Sequence, residues 1–249
     1  MIAITAIHTQ TGGSTMKKFF KMFGAAALLA GMMMVGGCGD DAAAPVGKVV
    51  KGPVGGATVT YVGGGTAVTN TDGSYPYTGA AVTTTGGTYT DLNGVSRTAP
   101  NMSTPAGKAN VTPLTTLFVN ASVADQAKLL TLLGVASIDT AVVGTVSGAT
   151  NVLVAKLNES LGEVLTQFKA AGVTPTAAYL QDLAAQAATL TPTTALVAAN
   201  IVAAVNATTA PHAGVVINTV AVAAIADKAK EGAVIPATGS TGSTGTVVK

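Results

Sequence analysis

Between residues 46 and 109, apolar and polar positions alternate and are interrupted by turn residues about every eight to twelve positions, the pattern of short strands with one buried face. The alternation predicts strands over Val46–Lys51, Ala57–Val62, Thr66–Asn70, Ser74–Thr78 and Ala81–Thr85, with Gly87–Asp91 as a further candidate. Gly52-Pro53, Gly55-Gly56 and Gly63-Gly64-Gly65 separate the first three. Asp72-Gly73 reads as a two-residue hairpin turn, because both residues tolerate positive φ. Residues 92–110 hold Gly94, Pro100, Pro105 and Gly107 and show no clear period, so they read as a long loop or irregular strands.

After residue 110 the apolar spacing lengthens to three and four, the helical period. Thr112-Pro113, Thr174-Pro175 and Thr191-Pro192 each precede such a stretch. In that position Thr satisfies a free backbone N–H as N-cap, and Pro at the first helical position loses none that was needed. Helices are predicted from Pro113 to about Ala121, over Asp125–Leu133 with Gly134 as stop, and over Asn151–Ala171 with Gly172 as stop. Others follow over Thr176–Thr189, Thr193–Asn206 and Ala213–Glu231. In the long helix Val154, Leu157, Leu161, Val164, Leu165 and Phe168 share a face, while Lys156, Glu159, Glu163 and Gln167 fall elsewhere and read as a solvated side. The latter half is rich in Ala, which favours close helix packing into an antiparallel bundle over 111–233. The TGSTGSTGT stretch makes 234–249 a flexible tail.

The segment from Met16 differs from both halves. Lys17, Lys18 and Lys21 precede an apolar run from Met22 to Val35, too short to span the roughly 30 Å hydrocarbon core and proportioned as an export signal over 16–37. Val35-Gly36-Gly37-Cys38 resembles the lipobox of bacterial lipoproteins. The resemblance implies that the Cys38 thiol receives a diacylglycerol and that the chain is cut before it. Residues 38–46 then act as a tether, and Gly39 in place of Asp favours the outer membrane or cell surface over the inner membrane. Residues 1–15 carry no charge and read as a mis-assigned start.

Composition narrows the chemistry. The chain has 249 residues, 48% apolar and 10% charged, with one cysteine and two histidines, which excludes an intramolecular disulfide framework and leaves little for a metal site. Three of the 13 basic residues leave with the signal while all 11 acidic ones stay, so the mature chain carries 10 against 11, one net negative charge. The apparent basicity belongs to the export signal, and with no basic helix clusters nucleic acid is not an expected partner.

A second resemblance lies in the first module. Gly56-Ala57-Thr58-Val59 and Thr71-Asp72-Gly73-Ser74-Tyr75, after a first strand ending at Gly52-Pro53, resemble the small β-sandwich described as carboxypeptidase regulatory-like, transthyretin-like or CnaB-like. Val111-Thr112-Pro113-Leu114-Thr115-Thr116-Leu117 resembles segments that follow such domains in bacterial surface lipoproteins. The resemblance covers about residues 46–118, and it implies an Ig-like sandwich over 47–110. The fold class is therefore α+β in two modules, sandwich then bundle. Members of that group cross-link a Lys to an Asn through a buried acid. Lys48, Lys51 and Asn110 supply the ends here, but Asp72 sits in a turn, Asp91 beside coil, and no Glu precedes Glu159, so the bond is not expected. Asn70, Asp72 and Asp91 do not match a calcium loop.

Other candidates have plainer readings. Glu159 and Glu163 lie one helical turn apart without a His, Cys or Arg partner and read as solvated. His212 reads as a surface or capping residue, and Arg97, the only arginine, as a loop charge. No nucleophile elbow, phosphate loop or dinucleotide fingerprint occurs. The expectation is a lipid-anchored envelope component, not an enzyme, with no catalytic, metal or cofactor site. Its expected partners are the membrane through Cys38 and envelope proteins or polysaccharide; the alternative is a binding protein enclosing a small apolar molecule.

Overall fold

Alternation becomes strand directly in the first half of the chain; the computed structural model describes residues 45–212 and 214–239. Strand β1 (Val46–Val49) lies between β4 (Ser74–Pro76), antiparallel, and β8 (Asn110–Val111), parallel. A second sheet is built on β2 (Gly55–Tyr61), flanked by β3 (Thr66–Val68) and β5 (Val82–Thr90). β2 shows the period-two logic: Ala57 and Val59 point inward while Thr58 and Thr60 face solvent. Val49, Tyr75 and Val111 of the first sheet share one apolar cluster with Ala57, Val59, Val82, Tyr89 and Met102 of the second. Gly47 lets the ring of its β4 neighbour Tyr75 lie across β1, since a Cβ there would stand 2.4 Å from that ring.

Several boundaries move. The strands expected at 81–85 and 87–91 are one strand, β5, because Gly86 and Gly87 carry the chain through at φ 69° and 78°. The unassigned stretch 92–110 supplies β6 (Ser96–Thr98) and β7 (Met102–Thr104), both antiparallel to β5, as well as the start of β8.

Helices follow at once: α1 (Pro113–Asn120), α2 (Val123–Leu133), α3 (Ala149–Ala170), α4 (Ala177–Ala187), α5 (Ala198–Asn206) and α6 (Thr219–Lys228). The first Thr-Pro pair works as expected: Thr112 and Thr115 exchange side-chain to backbone bonds in a capping box with Pro113 at the helix start. The second does not, because Thr176 and not Thr174 accepts from the Tyr179 N–H. At the third, Thr191 and Thr194 form a reciprocal pair, yet only a 3₁₀ turn follows and α5 starts later, at Ala198. The last helix also starts late. The Gln167 side-chain amide donates to the Asn218 carbonyl and accepts from its N–H, and Asn218 caps Ala221, so residues 214–218 stay outside the helix.

The six helices contribute to one large apolar cluster centred on α3, including Leu117, Leu133, Leu161, Phe168, Tyr179 and Ile201. The described residues all fall within one compact unit. Residues 234 and 235, expected at the start of a tail, form a strand: β10 (Val234–Ile235) pairs antiparallel with β9 (Gly144–Thr145), and Ile235 is buried against Val146, Val152 and Ala155. Apolar Val234 and Ile235 precede the Gly/Ser/Thr run and find a ladder partner, which composition alone does not reveal.

Candidate functional site

Helix α3 is the part of the molecule where sequence and structure disagree most. Its positions from Val152 to Thr166 are all buried, so the side holding Lys156, Glu159 and Glu163 is not a solvated face; it lies under other parts of the fold. Glu159 receives the ammonium of Lys51 from the turn after β1, with Nζ to Oε2 at 2.7 Å and side-chain exposures of 0% and 2%. The Lys51 stem crosses α3 at Gly162, where a Cβ would meet Lys51 Cδ and Cε at 2.1 Å. Tyr89 of β5 holds its ring centroid 5.2 Å from Lys51 Nζ, and its hydroxyl lies 3.2 Å from Thr166 Oγ1. Residues 159, 162 and 166 share one stripe by helical spacing, so a single face of α3 grips the sheets.

Burial by itself works against a charged Lys51, but the charge and hydrogen bond of Glu159, with Tyr89 and Glu163 adding to them, together outweigh it and hold the ammonium above its ordinary pKa. Desolvation pushes the Tyr89 phenol up, partly opposed by Lys51 and Thr166. Asn158 donates from Nδ2 to Glu159 Oε1 at 3.4 Å, while its Oδ1 is buried without a partner. A charge pair sealed in this way carries a desolvation cost of several kcal/mol per ion, which its mutual attraction offsets.

Further ties run beside this lock. The Asp91 carboxylate accepts from the Val95 and Asn93 backbone N–H groups and from Arg97 Nε at 2.6 Å. Burial would raise its pKa, yet these donors hold it below the usual carboxylate range. Arg97 is therefore paired and not a free loop charge. Ser103 of β7 donates its N–H to Thr116 Oγ1, and its carbonyl accepts from Thr115 Oγ1, so two hydroxyls of α1 close that outer sheet edge. At β8 the Asp139 carboxylate does the same for the Ala109 and Asn110 N–H groups.

The sequence candidates are dispersed. Lys48 stands opposite Asn110 in the β1 to β8 register but pairs with Asp72 at the surface, while Asn110 donates to the Asp139 carbonyl. Lys51 takes its acid from a helix 108 positions away. Asn70 bonds Ser74, so it makes no ligand set with Asp72 and Asp91. Glu163 is buried and accepts from Gln167. His212 is not a free surface residue; its Nδ1 is buried without a partner, and its ring stands edge-on to Tyr179 with centroids 6.2 Å apart. Cys38 lies outside the described residues. Among those residues no three His, Cys, Asp or Glu side chains are grouped to hold a metal, and no helix is long and apolar enough to cross a membrane.

Four depressions adjoin along the C-terminal half of α3. The first, about 240 Å³, has Thr83, Thr85, Asn101, Ser103, Asn120 and Thr174 on its walls over Met102, Leu165 and Leu180. The second, about 120 Å³, shares Asn101 and Thr174 and reaches Lys169. A third, about 450 Å³, continues from Lys169 to Arg97 and Thr98. The last, about 510 Å³, runs from Arg97 and Ala170 to Glu163, Gln167 and Asn218. The only signal for the lock in the sequence is a lysine set between Val50 and Gly52-Pro53; nothing there names Glu159 as its partner. No protein-family model matches the chain, and no curated protein or solved structure matches it either.

Proposed function

We propose that the chain is a lipid-anchored bacterial envelope protein, tethered through Cys38, whose described part serves as a rigid, non-enzymatic adhesion or interaction unit at the outer membrane or cell surface. In this reading the two sheets make a small β-sandwich and the helices an antiparallel bundle, and the sealed Lys51–Glu159 pair fastens one to the other. That pair carries the proposal: the Lys51 ammonium and the Glu159 carboxylate neutralise each other away from solvent, and what they accomplish is to join strand to helix. An enclosed apolar ligand has less support, because the depressions open along the surface of α3 and the last of them carries Arg97, Glu163, Gln167 and Asn218.

The anchor is tested in cells. Wild type should label with palmitate and sediment with membranes, while Cys38→Ser should do neither; an unlabelled wild type defeats the anchor. Protease added to intact cells should clip the wild-type protein if it faces outward, and full protection would place it inside the envelope.

A further inference from the structure

The groove along α3 has two chemical halves. Near α1 it is uncharged, with hydroxyls and amides of Thr83, Thr85, Asn101, Ser103 and Asn120 above an apolar floor of Met102, Leu165 and Leu180. Toward α6 it gathers two cations, Lys169 and Arg97, in a mature chain with ten. Lys169 has only a 3.5 Å bond to Asn101 Oδ1, and Arg97 keeps 37% of its side chain exposed while its Nε engages Asp91. Glu163 shares the last depression with Arg97 and, with Asp91, compensates that guanidinium, so Lys169 is the freer cation.

We propose that this groove binds an anionic polysaccharide, with a sugar carboxylate between Lys169 and Arg97 and neighbouring hydroxyls read by the threonine and asparagine side chains. The proposal rests on the adhesion reading above and names its partner. In the α1 half, threonine and asparagine side chains over an apolar floor match the hydroxyls and C–H faces of sugars, and charge-assisted bonds from Lys169, with the exposed part of Arg97 beside it, suit a carboxylate. A linear chain of sugars also suits a run of connected depressions better than one deep chamber. An extended peptide fits less well: adding a strand needs free backbone groups at the sheet edge, and at Ser103 both are already taken by Thr115 and Thr116.

The test titrates detergent-solubilised full-length protein with oligogalacturonate, neutral maltohexaose and polyglutamate, read by calorimetry. Saturable oligogalacturonate binding is expected, about tenfold tighter than maltohexaose and weakened by added salt. Lys169→Gln and Asn101→Ala should each weaken it about fivefold or more with the melting temperature unchanged. Arg97→Gln should do likewise, but because it also frees Asp91 the first two variants decide. Absence of saturable oligogalacturonate binding overturns the proposal, as does binding indifferent to both Lys169→Gln and Asn101→Ala. Tighter binding of polyglutamate overturns the glycan as partner. Membrane fractionation and palmitate labelling are separate readouts, so the anchor reading survives or fails independently.

Discussion

The two sides of α3 are held by different physics. Toward the other helices it presents Leu161, Leu165 and Phe168 to a continuous apolar cluster, where Phe168 and Tyr179 pack with ring centroids 4.9 Å apart. Toward the sheets it presents Glu159, Gly162 and Thr166 to Lys51 and Tyr89. The apolar side tolerates exchange among side chains of similar volume, since dispersion and the hydrophobic effect have no direction. The polar side tolerates little, because losing one partner strands the other in a dry interior. Adhesion between helices is thus general, while the attachment of sheets to helix is specific in position and register.

The comparison breaks most visibly at the charge pair. Glu159→Ala should cost about 3–5 kcal/mol in denaturant unfolding, whereas the double replacement Lys51→Met with Glu159→Leu should recover most of that loss. If the single and double variants are equally unstable, the pair is not the fastening. Leu161→Ala on the opposite side should cost about 3 kcal/mol, as expected for a cavity in a packed core. Asp182→Ala should cost about 2 kcal/mol, because this carboxylate accepts from the Thr209 and Ala210 N–H groups and holds the loop before α6; faster hydrogen exchange confined to residues 207–212 would report it. Tyr89→Phe should cost about 1 kcal/mol by removing the hydroxyl contact with Thr166 while keeping the ring over Lys51.

A pH titration gives the smallest effect. Asp91 has a folded pKa below its usual value, so its ties add stability above the unfolded pKa of about 3.9 and lose it as pH falls through the folded one. Acid unfolding curves of wild type and Asp91→Asn should therefore begin to converge below about pH 4 and meet below the folded pKa. Curves that stay parallel there would show that Asp91 does not contribute in this way.

Local chemistry was the readable part of this sequence. Thr112-Pro113 announced its helix because the cap is satisfied within four residues, and the glycine stop at Gly134 was legible for the same reason. Alternation located β2, since strand faces need no knowledge of the partner. What failed depended on distant residues. Glu159 and Glu163 look solvated in a helical projection until sheets cover them, the late start of α6 depends on Gln167 fifty-one positions earlier, and Val234-Ile235 becomes a strand only because Gly144-Thr145 lies alongside. The groove was invisible for that reason too, its walls being drawn from strands and helices far apart in the chain.

The separation of 108 positions between Lys51 and Glu159 also bears on the order of events during folding. Bringing such distant residues together carries a large loop-closure entropy, and contacts of this kind slow folding relative to local ones. Until α3 arrives, the first strands hold a cation with nowhere to bury it, so early collapse of that half is discouraged. In a chain emerging from its amino end this contact cannot form until residue 159 has been made, well past the midpoint.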